Sequence, residues 1–249
     1  DSLGVSFFAT VGDECGLELV LSMGVHSIKI ASADVNHLPF IRLVARSGLC
    51  VQLDTGSANL SEIEEAVDAI REEGNDNIVI HNCPSGYPAR IESINLRMIP
   101  MLRNLFSCAV GFSDHSSGYE MDIAAVAVGA DLVEKTITED RTTRSVEHVM
   151  SIETHEMKKF VQTINDVQVA MGESRRTLST EEKEKRLVGR RSVHLAASVK
   201  AGQRLADIPV HFRRPGYGIP PDQYESLLEM KITSDLEAGH RLSLYDLAE

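Results

Sequence analysis

The chain has 249 residues, 43% of them hydrophobic, with a formal charge of −12 and a pI near 5.2. No apolar run approaches the roughly 18 residues of a membrane span, and the acidic balance lacks the basic stripe of a nucleic-acid surface, so neither a membrane nor a nucleic acid is an expected partner. An anionic substrate would have to be met by local cations, because the overall field repels it.

Cys15, Cys50, Cys83 and Cys108 are far apart, without metal-ligand or redox spacing. They read as reduced, buried thiols of a cytoplasmic protein. No signal peptide is visible. The chain opens without Met, almost directly on an apolar run, which reads as a fragment or a processed form.

Six strand-and-helix units follow one another. Strands are expected at Val5–Thr10, Ser27–Ser32, Cys50–Thr55, Ile78–Cys83, Ala109–Ser113 and Leu132–Thr136, each followed by a helical stretch. The third helix is signalled by a capping box, Asn59 with Glu62, and by a stripe of Leu60, Ile63, Val67 and Ile70. The sixth carries Met157, Phe160, Val161, Ile164 and Val167 and closes at Gly172. Alternating units with near-continuously apolar strands imply an α/β fold with a helix-covered parallel sheet, either a TIM-type (β/α) barrel lacking its first two strands or an open sheet. The expected catalytic domain is 1–172. A charged linker over 173–191 comes next, and 192–249, with short β-type runs at Ser192–Ala197, Ile208–Phe212 and His240–Leu244, is expected to be a small β-rich domain.

The polar tips of the strands are where a parallel barrel keeps its chemistry. Lys29 and Ser32 flank one tip with Asp34 just beyond, a cation, a hydroxyl and a carboxylate suited to a phosphorylated or carboxylated metabolite and to activating water; a surface ion pair with a helix cap is the bland alternative. Thr10, Thr55, Ser85 and Ser113 stand at four other tips, each readable as a helix cap and together as a hydrogen-bonding ring for an anion. Gly56 and Gly86 would admit a ligand close to the backbone. His115, after Asp114, reads either as a packed histidine or as a metal ligand oriented by Asp114. Glu134-Lys135 reads as a barrel-interior ion pair or as part of the site, and His148, His155 and His194 have no comparable setting.

Several stretches, in order along the chain, resemble the sialic acid synthase family, which includes N-acetylneuraminate, legionaminate and pseudaminate synthases and spore-coat polysaccharide synthases. They are Ile28-Lys29-Ile30-Ala31-Ser32-Ala33-Asp34, Asp54-Thr55-Gly56, Cys83-Pro84-Ser85-Gly86-Tyr87-Pro88, Gly111-Phe112-Ser113-Asp114-His115, Glu134-Lys135 and Arg213-Arg214-Pro215-Gly216-Tyr217-Gly218-Ile219. The last run resembles the antifreeze-like (SAF, β-clip) domain that ends these enzymes.

The resemblance implies a transferase that condenses phosphoenolpyruvate with an N-acylated mannosamine-type sugar for surface polysaccharide. C3 of phosphoenolpyruvate attacks the open-chain aldehyde, water adds at C2 and phosphate leaves, with Mn²⁺ or Mg²⁺ polarising the aldehyde oxygen. Carried over by position, Lys29, Thr10, Ser32, Ser85 and Ser113 bind phosphoenolpyruvate. Asp34 stands near the attacking water, His115 is a metal ligand, and Arg214 reaches the sugar's N-acyl group from a neighbouring subunit in a domain-swapped homodimer. The pattern departs at Thr136, where the family has its second ligand histidine, and at Asp34, where it has glutamate. A non-catalytic sugar- or phosphate-binding protein and a barrel aldolase forming a Schiff base on Lys29 or Lys135 are the alternatives.

Overall fold

The computed structural model describes residues 4–249, which divide into two compact units, 1–172 and 173–249.

In the first unit, strands and helices alternate: β1 (Ala9–Val11), α1 (Glu14–Ser22), β2 (Ser27–Ile30), α2 (Leu38–Ala45), β3 (Cys50–Asp54), α3 (Leu60–Glu72), β4 (Ile78–Asn82), α4 (Met98–Phe106), β5 (Ala109–Asp114), α5 (Glu120–Ala127) and β6 (Leu132–Lys135). The unit closes with a two-residue parallel pair, β7 (Ile137–Thr138) with β8 (Ile152–Glu153), and α6 (Met157–Met171). The first three helices start on side-chain caps: Asp13 accepts from Gly16 N, His37 Nδ1 from Phe40 N, and Asn59 with Glu62 forms the expected capping box. Of the expected α3 stripe, Ile63, Val67 and Ile70 are buried and Leu60 is exposed. Of the α6 stripe only Phe160 is buried.

The six main strands form one parallel sheet in the order β1-β2-β3-β4-β5-β6. When every crossover joins adjacent strands with the same hand, the helices collect on one face and the sheet curls with its other face concave. The expected barrel is thus an open arc of six strands, and among the described residues neither β1 nor β6 has a second neighbour. The first strand begins later than expected, at Ala9, and residues Val5–Phe8 are exposed and outside it.

The strands are not uniformly apolar, and this corrects the sequence reading. Register pairs Thr10 with Lys29, Lys29 with Gln52, His81 with Gly111, and Ser113 with Glu134, so the polar residues of neighbouring strands share one face. The other face carries Ile28, Ile30, Val51, Leu53, Ile80, Val110 and Phe112, all fully buried with the helices. Each such side chain contributes about 1.5–3 kcal/mol relative to exposure. The apolar face holds the arc together and leaves the concave face polar.

The second unit has its own core of Val193, Leu195, Leu205, Ile219, Ile232 and Leu242. It begins with α7 (Thr180–Gly189), started by the Ser179/Glu182 capping box, in the charged stretch. Antiparallel β9 (Ser192–Leu195) and β10 (Val210–Arg213) follow. His240–Leu244, expected as a strand, contributes a single bridge, Arg241 to His194. The loop 213–219 is tightly held: Gly216 N donates to Leu187 O of α7 at 2.7 Å and Ser192 Oγ to Pro215 O at 2.6 Å. A Cβ on Gly216 would lie 2.9 Å from Arg190 Cβ, so glycine is required for this packing.

Candidate functional site

Lys29, on β2, is the centre of the concave face. It is 4% exposed, with Nζ 2.9 Å from Asp54 Oδ2 on β3 and 2.5 Å from Glu134 Oε1 on β6. Ser113 Oγ donates to the same Glu134 oxygen at 3.0 Å. Four strands therefore deliver a cation, two carboxylates and a hydroxyl to one place. Burial alone would lower the Lys29 pKa, but Asp54 and Glu134 outweigh it and raise it. Burial pushes Asp54 up despite Lys29, whereas in Glu134 the bonds from Lys29 and Ser113 overcome burial and hold the carboxyl below its ordinary value. Asp54 Oδ1 and Glu134 Oε2 are buried without a hydrogen-bond partner.

Deeper in the arc lies a second polar layer that sequence reasoning missed. Ser27 Oγ accepts from Gln52 Nε2 at 2.8 Å, and Gln52 Oε1 pairs with His81 Nε2 at 3.0 Å. With Gln52 oriented by Ser27, His81 carries its proton on Nε2 and leaves Nδ1 a buried lone pair without a donor. Burial first, then Lys29, lowers the His81 pKa to about 4, so the ring is neutral. Gly111 makes room for it: a Cβ there would sit 2.7 Å from His81 Nδ1.

The expected tip residues divide into groups. Ser32, Ser85 and Gly56 come together: Ser85 Oγ donates to Gly56 O and lies 3.2 Å from Ser57 Oγ, and a Cβ on Gly56 would be 3.3 Å from Ser32 Oγ. Thr10 is exposed beside Lys29 in register. Asp34 follows β2 in a short turn facing the loop after β1, where a Gly12 Cβ would lie 3.9 Å from its Oδ2. Thr55 Oγ1 donates instead to His81 O at 2.7 Å, tying β3 to β4. Arg214 is exposed on the loop after β10, and no ion pair holds it among the described residues.

His115 is buried at the tip of β5. Its Nδ1 is 3.2 Å from Pro84 O and its ring lies 4.3 Å from that of Tyr87. Asp114 does not orient that ring, contrary to the expectation. It points to the opposite face, where Oδ2 accepts from Lys135 Nζ at 2.5 Å and Oδ1 from Ser116 N at 2.8 Å. Asp122 of α5 completes this cluster, fully buried, 3.9 Å from Lys135 Nζ. Thr136 Oγ1 is buried without a partner. The cysteines are free, but Cys15 is exposed and only Cys83 is fully buried, correcting the expectation for the set. Burial, then Asp54, raises the Cys83 thiol to about 12, which removes it as a nucleophile.

A cavity of about 400 Å³ is lined by Val5, Phe7, Met23, Val25 and His26, at the opposite end of the strands from these tips. It holds none of the clustered groups.

A curled parallel sheet with a lysine, carboxylates and hydroxyls converging on its concave face defines a (β/α)-type protein with a candidate site among its strands. The chain belongs to the NeuB family, whose sequence profile matches residues 1–176. It is similar to the N,N'-diacetyllegionaminic acid synthase of Legionella pneumophila, 31% identical over 246 residues, covering 97% of this chain and 69% of that protein. Among solved structures it is similar to the spore coat polysaccharide biosynthesis protein SpsE of Bacillus subtilis, with a TM-score of 0.65, 32% identity, and coverage of 98% of this chain and 74% of that one. The N-acetylneuraminic acid (sialic acid) synthetase of Leptospira borgpetersenii, solved with citrate, has a TM-score of 0.69 and 33% identity over 74% of this chain and 64% of its own.

Proposed function

We propose that this chain is a nonulosonic acid synthase. It joins phosphoenolpyruvate to an N-acylated mannosamine-type sugar and releases phosphate, feeding surface polysaccharide. The observation that carries this reading is Lys29, a buried ammonium on a polar concave face, with Ser113, Asp54 and Glu134 around it.

Lys29 and Ser113 hold the phosphate or carboxylate of phosphoenolpyruvate by charge-assisted hydrogen bonds, and Thr10, Ser32 and Ser85 extend that surface along the tips. C3 of the enol attacks the sugar aldehyde while a water adds at C2, with Asp34 the carboxylate assigned to that water. Phosphate then leaves from the tetrahedral C2. Arg214, in the second unit, is assigned to the sugar's N-acyl group. That unit, 192–249, is read as an antifreeze-like domain and the working molecule as a domain-swapped homodimer in the cytoplasm. Among the described residues no helix is long and apolar enough to cross a membrane.

A divalent ion beside His115 would meet one imidazole and, at the second family position, the Thr136 hydroxyl, a poor replacement for nitrogen on Mn²⁺. Thr136 Oγ1 is an unpartnered buried oxygen, yet two such donors do not make a closed ligand set. Glu153, His155 and Glu156 do cluster, but Arg141 already pairs with both glutamates. These residues do not fit a resident ion on protein ligands alone.

The aldolase alternative is disfavoured by Lys29 itself, since a doubly paired ammonium with a raised pKa is not a free amine. Sugar-dependent release of phosphate from phosphoenolpyruvate tests the proposal. Release that needs no sugar overturns the condensation, and no release with any acylated mannosamine favours the non-catalytic binder.

A further inference from the structure

Lys29 already has its charges met. One ammonium faces two carboxylates, and the local sum is −1 before any ligand arrives. A dianion that captures Lys29 must therefore enter beside two carboxylates, one of them buried, which a low-dielectric site opposes.

The two carboxylates are not equally equipped for that event. Glu134 keeps the Ser113 hydroxyl as a second donor, and about a third of its side chain is open to solvent. Asp54 has Lys29 alone: its Oδ1 is buried with no donor, and the residue is 8% exposed. The titratable groups around it are Lys29 from β2, Glu134 from β6, the neutral Cys83 thiol just after β4 and His115 just after β5. Lys29 is the one permanent cation among them. Once a ligand takes that cation, an ionised Asp54 is a buried charge without compensation.

We propose that Asp54 couples occupancy of the Lys29 site to the uptake of one proton from solvent, so that the pocket selects a phosphate-type dianion together with a proton. This rests on the reading of Lys29 as an anion-binding residue. The proton goes to Oδ1, the oxygen that lacks a partner, and turns Asp54 from a repelling acceptor into a donor able to hydrogen-bond the ligand. Burial already biases Asp54 toward the protonated form.

Sulfate tests this, because it is a dianion that does not itself titrate near neutral pH. Calorimetric titration of the full chain, with no divalent cation added, is run in two buffers of different ionisation enthalpy. Close to one proton is taken up per sulfate bound by the wild type. Asp54→Asn takes up none and binds sulfate more tightly above neutral pH. Lys29-dependent binding without proton uptake overturns the coupling alone, as does uptake undiminished in Asp54→Asn. Failure of both proteins to bind sulfate, or binding by Lys29→Met equal to wild type, removes the anion site itself and the coupling with it. If Asp54→Asn does not fold, the wild type decides: its sulfate Kd weakens by about tenfold per pH unit through neutral pH, and a flat profile overturns the proposal.

Discussion

Glu134 and Lys135 are adjacent in sequence and serve opposite faces of the sheet. Glu134 Oε1 lies 2.5 Å from Lys29 Nζ on the concave face, while Lys135 Nζ lies 2.5 Å from Asp114 Oδ2 against α5. The alternation of a single strand thus feeds both the candidate site and the buried polar cluster behind it.

Replacing Lys29 by Met removes the central cation and leaves Asp54 and Glu134 facing each other. Phosphoenolpyruvate affinity should fall by about 10- to 100-fold, the value of a hydrogen bond to a charged group, as measured by calorimetry. Unchanged affinity would separate Lys29 from the ligand.

The state of that amine gives an independent check. Borohydride added with pyruvate should leave the protein mass unchanged, because Lys29 is held as an ion-paired ammonium. A reduced adduct on Lys29 or Lys135 would restore the aldolase alternative.

Gly111→Ala should destabilise the first unit by about 1–3 kcal/mol in denaturant unfolding, since the new methyl meets the His81 ring, itself held by Gln52. Pairing it with His81→Ala should recover part of the loss. Full additivity of the two would mean that the ring is not the obstacle.

Asp122 predicts a pH effect of definite sign. Burial, then Asp114, raises its pKa to about 8 from an ordinary 3.8, because two carboxylates share one Lys135 in a closed site. The folded chain holds a proton that the unfolded chain releases, so this contribution is complete below about pH 4 and is lost as pH rises toward about 8. Asp122→Asn should therefore raise the wild-type Tm more at pH 8 than at pH 5. A variant that loses Tm most at pH 8 would show that the ionised carboxylate is needed.

Arg214→Ala should raise the sugar KM more than the phosphoenolpyruvate KM. Equal effects on both would remove Arg214 from the sugar.

The strand-helix rhythm, the Asn59 capping box and the strand-end positions of Lys29, Ser113 and His115 were all legible in the sequence, because each is a local pattern. Gln52 and His81 were not recognised: they lie inside strands of five residues whose remaining members are mostly apolar, so the runs read as continuously buried. A stricter count at period two, aligning Lys29, Gln52, Asp54, His81, Ser113 and Glu134 on one face, was the available signal. The strand-end pattern points to Thr55 and not to Asp54, its neighbour at the same tip. Which of the two faces Lys29 depends on the register of β2 with β3, a long-range property that strand composition does not encode. The split between Glu134 and Lys135 was hidden in the same way.

The most direct test is a crystal structure of the chain with phosphoenolpyruvate. A phosphate or carboxylate oxygen should lie about 3 Å from both Lys29 Nζ and Ser113 Oγ, on the concave face. Ligand density in the cavity lined by Phe7, Met23 and His26, with Lys29 still bridging Asp54 and Glu134, would contradict it.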